Sequence, residues 1–288
     1  MMTSPLRVFC LVALVLAIAL NARAEVAFPE PGGFMHALYR QDFPANLEAA
    51  RNGDARAQVL VGVAYTIGLD RQDVPIDFPK AAKWIKKAAA QDLAEGLYAL
   101  GGMYAAGYTV EKSPEKWLEL TAEAGEQGFP KAQRELRYAY RDGDERNDIE
   151  PNDEKYLYWL RKYAQSGATD GMWELAGRYL RGDIVDKNEK KAFQLLKKAA
   201  EMDDLTAQGR LGDYYAKGIG TEKDLVKAYM MYDLGGTGDI EKKEALAEKM
   251  TDEQVQEAIA RSRRWQEEHN SVRPSYYGLK RQPDGSYR

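Results

Sequence analysis

The chain has 288 residues, 30% of them charged, and a formal net charge of −4. A mildly acidic balance offers no electrostatic footing on a phosphate backbone, so nucleic acid is excluded as the expected partner. The single cysteine, Cys10, excludes intrachain disulfides, paired redox chemistry and thiolate metal sites.

In chain order, the first element is a leader. Met1 to Arg7 carry positive charge and run into an apolar stretch from Val8 to Leu20, followed by Asn21-Ala22-Arg23-Ala24. Thirteen apolar residues fall short of the roughly 20 that span a bilayer as a helix, and Ala22-Arg23-Ala24 is an A-x-A cleavage pattern. A secretory signal peptide over residues 1–24, cut after Ala24, is therefore expected. That implies a periplasmic or secreted protein with no stable membrane insertion after cleavage. A lipoprotein is not expected, because Cys10 stands near the start of the apolar run rather than at its end. Losing Arg7 and Arg23 takes the formal charge from −4 to −6, and losing Cys10 leaves no thiol. A disulfide-free exported chain of this length relies on a large core. Residues 25–43, rich in Pro and Gly, read as a lead-in segment.

Beyond it the sequence repeats. Tyrosine followed three residues later by glycine occurs at Tyr65, Tyr104, Tyr140, Tyr179 and Tyr215, with successive spacings of 39, 36, 39 and 36 residues. Such periods belong to helical-hairpin solenoids. Eight residues before each tyrosine stands a small residue: Ala57, Gly96, Ala132, Gly171 or Ala207. Four before it stands Val61, Leu100, Leu136, Leu175 or Leu211. Offsets of zero, four and eight share one helical face, so each unit opens with a helix that buries this face. A downstream column of Trp84, Leu120, Trp159, Leu195 and Met231, with small pairs such as Ala88-Ala89 and Ala199-Ala200, marks a second helix that approaches closely. Gly182, within Arg181-Gly182-Asp183, aligns with Gly68, Gly107, Gly143 and Gly218. That tripeptide reads as a helix terminator rather than an integrin ligand, since only the glycine recurs.

The pattern A-x-x-x-L-G-x-x-Y-x-x-G, then K-A-x-x-W-x-x-K-A-A, fullest at Ala57 to Ala89 and Ala207 to Ala228, resembles the Sel-one-like repeat, a relative of the tetratricopeptide repeat. Arg137 and Gly235-Gly236 depart from it. The resemblance implies an all-α fold: an α/α solenoid, a right-handed superhelix of five helical-hairpin repeats with terminal capping helices, over residues 44–270. Repeats fall at about 54–92, 93–128, 129–167, 168–204 and 205–240, with a C-terminal cap at 241–270. The resemblance also implies a protein-binding scaffold or adaptor. It further admits a periplasmic immunity protein neutralising an effector toxin, or a hydrolase acting on cell-wall material or β-lactams.

Both ends read as caps. Leu47 to Gly53 repeats the closing half of a unit, and Thr251-Asp252-Glu253-Gln254 forms a capping-box pattern before Val255, Ile259 and Ser262. Residues 271–288 form a basic tail of net charge +3 with Tyr276, Tyr277 and Tyr287. Pro283-Asp284-Gly285 suits a tight hairpin or a mobile end.

Catalytic candidates are sparse. His36 and His269 stand at opposite ends of the array, which suits neither a zinc site nor a Ser-His-Asp triad. The acidic stretch from Asp142 to Glu154 fails as an EF-hand loop: its fifth position is Arg146, its sixth Asn147 and its twelfth Asp153. No catalytic residue, metal or cofactor is expected. The stretch is one of two insertions, since Gly68 to Trp84 and Gly143 to Trp159 each span 16 residues against 13 elsewhere. Insertions on one edge of a repeat array suit a binding face, and acidic ones suit a partner protein bearing a basic patch.

A step of 100° per residue puts offsets two, three, six and ten opposite the buried face, and the resemblance implies that this side lines a concave groove. Those positions supply Tyr98, Arg134, Tyr138, Trp173 and Arg181. Aromatic and arginine side chains most often anchor interfaces, so these five are the expected partner-binding residues. Near the amino end the same face is apolar, with Val59, Leu60, Val63 and Ile67, and the segment from Phe28 to Phe43 is the expected cover.

Overall fold

The structure, a computed structural model, describes residues 42–69, 72–107, 109–269 and 271. The expected signal peptide, the lead-in segment before Asp42 and the tail after Ser271 lie outside them. Thirteen α-helices and no strand occur among the described residues. They fall into two compact units divided after Ser166.

Unit 1 holds α1 (Phe43–Arg51), α2 (Ala55–Ile67), α3 (Phe78–Ala89), α4 (Ala94–Ala106), α5 (Pro114–Glu126), α6 (Pro130–Asp142) and α7 (Asp153–Gln165). Helices α2 and α3, α4 and α5, and α6 and α7 pair as hairpins, while α1 packs on α2 as a lone closing half. Unit 2 holds α8 (Thr169–Arg181), α9 (Glu189–Glu201), α10 (Leu205–Lys217), α11 (Leu225–Gly235), α12 (Ile240–Ala247) and α13 (Asp252–Glu268). There α8 pairs with α9 and α10 with α11, and α13 covers α11. The chain is thus an α/α solenoid of five helical-hairpin repeats with helices added at both ends.

The recurring tyrosine ties the two helices of its repeat together. In every repeat its backbone carbonyl accepts from the N–H of the N-cap residue of the second helix, Asp77, Ser113, Asn152, Asn188 or Asp224, at 2.7 to 3.1 Å. Each cap side chain in turn accepts from the backbone N–H three residues on, that of Lys80, Lys116, Lys155, Lys191 or Lys227. Capping fixes where that lysine starts, and its ammonium lies 4.7 to 5.5 Å from the centre of the same repeat's tyrosine ring. One short turn therefore joins the two helices through a carbonyl, a cap and a cation over a ring. The last term contributes about 0.5–1 kcal/mol at exposed sites.

First helices end in two ways. Gly182 adopts φ 70° and ψ 33°, the left-handed conformation, as do Gly107 and Gly218. Gly143 takes φ 80° and ψ 159°, and Gly68 φ 72° and ψ 152°, a region open essentially to glycine alone. This second exit leads into the two insertions. Both form the same small hairpin: Leu69 and Val74 exchange backbone hydrogen bonds, and Asp144 and Ile149 do likewise. Asp73 and Asp148 sit at equivalent positive-φ positions, φ 52° and 54°.

The first hairpin buries Leu69 and Val74 in a cluster with Val59, Leu60, Val63 and Ala64, with Phe43 and Ile67 packed against it. The apolar amino-end face is therefore covered in part by the insertion itself. Of the segment expected to cover it, Asp42 and Phe43 are described, and Phe43 packs against this cluster.

The departures from the repeat pattern find specific accommodation. Arg137 is 1% exposed, its guanidinium 4.3 Å from the Tyr138 ring centre and 4.7 Å from that of Tyr163. Gly235 lies against Gly209: a Cβ on Gly235 would stand 3.1 Å from the Gly209 Cα and 2.5 Å from an oxygen of Asp239. The C-terminal cap is tied by buried Asp233, which accepts from Ser262 Oγ and Lys243 Nζ, both at 2.7 Å. The capping box between Thr251 and Gln254 is formed.

Candidate functional site

In unit 1 the three expected groove residues have different surroundings. Tyr98 on α4 is half-buried, its ring centre 5.2 Å from that of Phe129. Its hydroxyl hydrogen-bonds Glu135 of the next repeat. Burial first, then the Glu135 charge, raise the phenol well above its usual range. Burial likewise raises Glu135, against the hydrogen bond from Tyr98 and the charge of Arg146, which work downward. Tyr98 is thus already engaged within the chain. Arg134 on α6 is half-buried.

Tyr138, four residues along α6, is 41% exposed. Its ring is flanked by the guanidinium groups of Arg137 at 4.3 Å and Arg141 at 4.7 Å. Arg141 also pairs with Asp142 at 2.6 Å. Beside this stretch lies a cleft of about 490 Å³ in the second inserted hairpin, lined by Asp142, Asp144, Glu145, Asp148 and Glu150 among others. Asp144 is engaged by Arg146 at 3.2 Å and Asn147 at 2.7 Å.

In unit 2, Trp173 on α8 is half-buried and lies 4.6 Å from the guanidinium of Arg210 on α10, a residue not among the five expected. Arg181 and Arg178 both bind Asp183, at 3.0 and 2.7 Å. Desolvation works to raise that carboxyl, but hydrogen bonds from Arg181 and then Arg178 win and hold it at about 2. The Arg and Asp of the tripeptide are thus paired with each other around a helix-ending glycine.

Tyr98 meets Glu135 and Trp173 meets Arg210 by the same rule. An offset-two residue reaches the offset-three residue of the following repeat, a register that singles out Arg210. No cluster of three or more His, Cys, Asp or Glu suited to a metal occurs among the described residues. His269 is exposed and stacked on Trp265 at 3.9 Å, while His36 lies outside the described residues. Among the described residues no helix is long and apolar enough to cross a membrane.

A model of the Sel1 repeat matches residues 55–93, 94–129, 130–167, 169–204 and 205–239. A crystallised protective antigen of uropathogenic Escherichia coli displaying an SLR fold is 28% identical, with a TM-score of 0.59 over 78% of this chain and 48% of that one. A Sel1 repeat protein from Oxalobacter formigenes gives a TM-score of 0.60 at 24% identity, over 83% of this chain and 76% of the other. An uncharacterized protein of Neisseria meningitidis serogroup B is 26% identical over 215 residues, 73% of this chain and 43% of its own length. The chain thus spans less than half of that meningococcal relative.

Proposed function

The chain belongs to the Sel1 repeat family, whose repeats generally mediate protein–protein interaction, and from that premise we propose that it is an exported, non-catalytic adaptor that grips a partner protein. Tyr138 carries the reading. A large ring 41% exposed with two guanidinium groups within 5 Å of its centre is an amphipathic anchor that loses little entropy on binding. In this reading Arg134 and Tyr98 join Tyr138 as the contacts of unit 1. Trp173 and Arg181 are the corresponding anchors of unit 2. The acidic hairpin from Asp144 to Ile149 suits a basic patch on the partner. The leader at residues 1–24 supports a periplasmic or secreted location.

Affinity capture with the mature chain from its own envelope extract tests the reading. Tyr138→Ala and Trp173→Ala are expected to lower recovery of the captured protein at least about tenfold, the range of an interface anchor, with thermal stability little changed. Full recovery with both variants would remove these residues from the interface. Amino-terminal sequencing of the protein from fractionated cells is expected to start at Glu25. An intact Met1 in the cytoplasm would refute export.

A further inference from the structure

Unit 2 holds a cleft that the repeat pattern does not require. It has a volume of about 430 Å³, and its lining includes Thr206, Gly209, Arg210, Asp213, Asp239 and Lys242. Gly209 lies in its lining. This is the offset where Tyr98, Arg134 and Trp173 stand in earlier repeats, and a Cβ here would collide with the Asp239 carboxylate.

The charges in the cleft divide into satisfied and unsatisfied. Asp213 accepts from the Tyr232 hydroxyl at 2.9 Å and from Lys242 at 3.1 Å, and Asp239 pairs with Lys242 at 3.0 Å. Two carboxylates thus share one ammonium and one phenol. Burial works to lower Lys242, but its hydrogen bonds to Asp239 and Asp213 raise it, so the ammonium stays charged and committed. Arg210 differs. Its guanidinium carbon sits 4.6 Å from the Trp173 ring centre, and within the described residues it makes no hydrogen bond or ion pair.

A guanidinium held on an aromatic face keeps its planar fork of N–H donors oriented outward, the geometry that receives a carboxylate through two parallel hydrogen bonds. The neighbouring Asp213 and Asp239 set the charge of the incoming group. Asp213 and Asp239 outnumber the one ammonium they share, so a phosphate dianion would add two negative charges beside them, whereas a carboxylate adds one and takes the one cation without an anionic partner. The cleft volume exceeds a lone carboxylate, leaving room for the side chain that carries it.

We propose that the Arg210 fork, braced on Trp173, receives the side-chain carboxylate of an Asp or Glu in a peptide segment of the partner. The inference deepens the adaptor reading and rests on it. Unit 1 presents acid to a partner and unit 2 an uncommitted cation, so the partner carries both signs of charge.

The test is a double-mutant cycle. A displayed 12-residue peptide library is selected on the full chain, and the recovered peptides are synthesised with their acidic residue and with its amide. The expected result is a shared Asp or Glu position, with Arg210→Gln and the peptide's Glu→Gln (or Asp→Asn) change each weakening binding at least about tenfold. Together they should weaken it no more than either alone, as for a directly coupled pair. Arg210→Lys, which keeps the charge but loses the fork, should fall between.

Equal sensitivity of wild-type and Arg210→Gln proteins to the peptide's amide change would overturn the proposal, as would selected peptides with no fixed acid. Displaced amide resonances of residues 272–288 in Arg210→Gln would also overturn it, by giving the fork to the chain's own tail. Circular dichroism of Arg210→Gln, expected to be unchanged because the residue is exposed, guards against a folding artefact. Peptides that bind through Tyr138 and ignore Arg210 would remove the carboxylate site and keep the adaptor. A library that yields no binder would remove both.

Discussion

The backbone N–H of Phe43 donates to Oε1 of Gln72 across 2.8 Å, joining the first residue of α1 to the inserted hairpin of the following repeat. The first N–H groups of a helix have no partner within it, so Gln72 serves as a cap supplied from a distance. Asn147 holds the same place in the second hairpin, seven residues after its repeat tyrosine. There the corresponding first helical residue is Pro114, which has no N–H to give. Asn147 Oδ1 is accordingly buried without a hydrogen bond. Gln72→Ala is expected to destabilise unit 1 by about 1 kcal/mol, the net worth of one partly buried hydrogen bond. Urea denaturation reads it, and an unchanged midpoint would mean that water replaces the glutamine at no cost.

Gly182 permits a second prediction, bearing on the Arg-Gly-Asp sequence. Its φ of 70° costs an L-residue about 1 kcal/mol, and an added Cβ would stand 2.9 Å from Cβ of Lys187. Gly182→Ala should therefore lower stability by about 1–3 kcal/mol. Asp183→Asn removes exposed ion pairs and should cost no more than about 1 kcal/mol. Thermal denaturation of the two variants side by side checks the order; a larger loss at Asp183 would give the tripeptide's charges a structural role that its glycine lacks.

The period, the helix-ending glycines and the terminal caps are legible in the sequence because each depends on one residue type recurring at a fixed distance. Tyr65, Tyr104, Tyr140, Tyr179 and Tyr215 announce themselves. The caps that hold them do not, since Asp77, Ser113, Asn152, Asn188 and Asp224 satisfy one geometry with three different side chains. The two inserted hairpins are visible as added length, whereas their common fold rests on a backbone conformation at Gly68 and Gly143 that spacing does not encode. Arg210 stands at offset three, a column on the expected groove side, yet nothing in that column singles it out. Its column holds Leu60, Ala99, Glu135 and Glu174, so no shared chemistry marks it, and its importance comes from Trp173 one repeat earlier. Lys242 lies beyond the last repeat, where periodicity gives no guide.

Contact between repeats supplies a third prediction. Gly96 on α4 faces the pair Ala88-Ala89 so closely that a Cβ would stand 2.8 Å from the backbone carbon of Ala88 and the nitrogen of Ala89. The obstacle is main chain, which cannot rotate aside as a side chain does. Ala57, Ala132 and Ala207 show that the column tolerates a methyl elsewhere, so the repeat pattern alone makes Gly96→Ala look harmless. The structure instead predicts a loss of about 1–3 kcal/mol from overpacking. A helix-propensity gain of about 1 kcal/mol offsets part of it, and chemical denaturation gives the balance. A more stable Gly96→Ala protein would show that α3 and α4 separate without cost.

Lys131 sets a pH dependence of stability that runs opposite to that of most paired groups. It is 5% exposed near the start of α6, and burial, with the Arg134 charge second, lowers its ammonium from 10.5 to about 8. Below pH 8 the lysine is protonated whether folded or unfolded, and the folded chain carries the cost of burying the charge. Between about 8 and 10 the folded chain releases the proton while the unfolded chain keeps it, so the unfolded state binds more protons and stability rises with pH. Above about 10 the buried Tyr98 hydroxyl acts in reverse. Its ionisation is held above the ordinary range in the folded chain, so unfolding is favoured as free tyrosine ionises. Unfolding free energy should therefore climb by about 1–3 kcal/mol from pH 8 to 10 and then fall. Lys131→Met, close in length and without a charge, should abolish the climb. Denaturation curves at pH 7, 8, 9 and 10 for both proteins decide the matter, and a parallel rise in the methionine variant would assign the climb to another group.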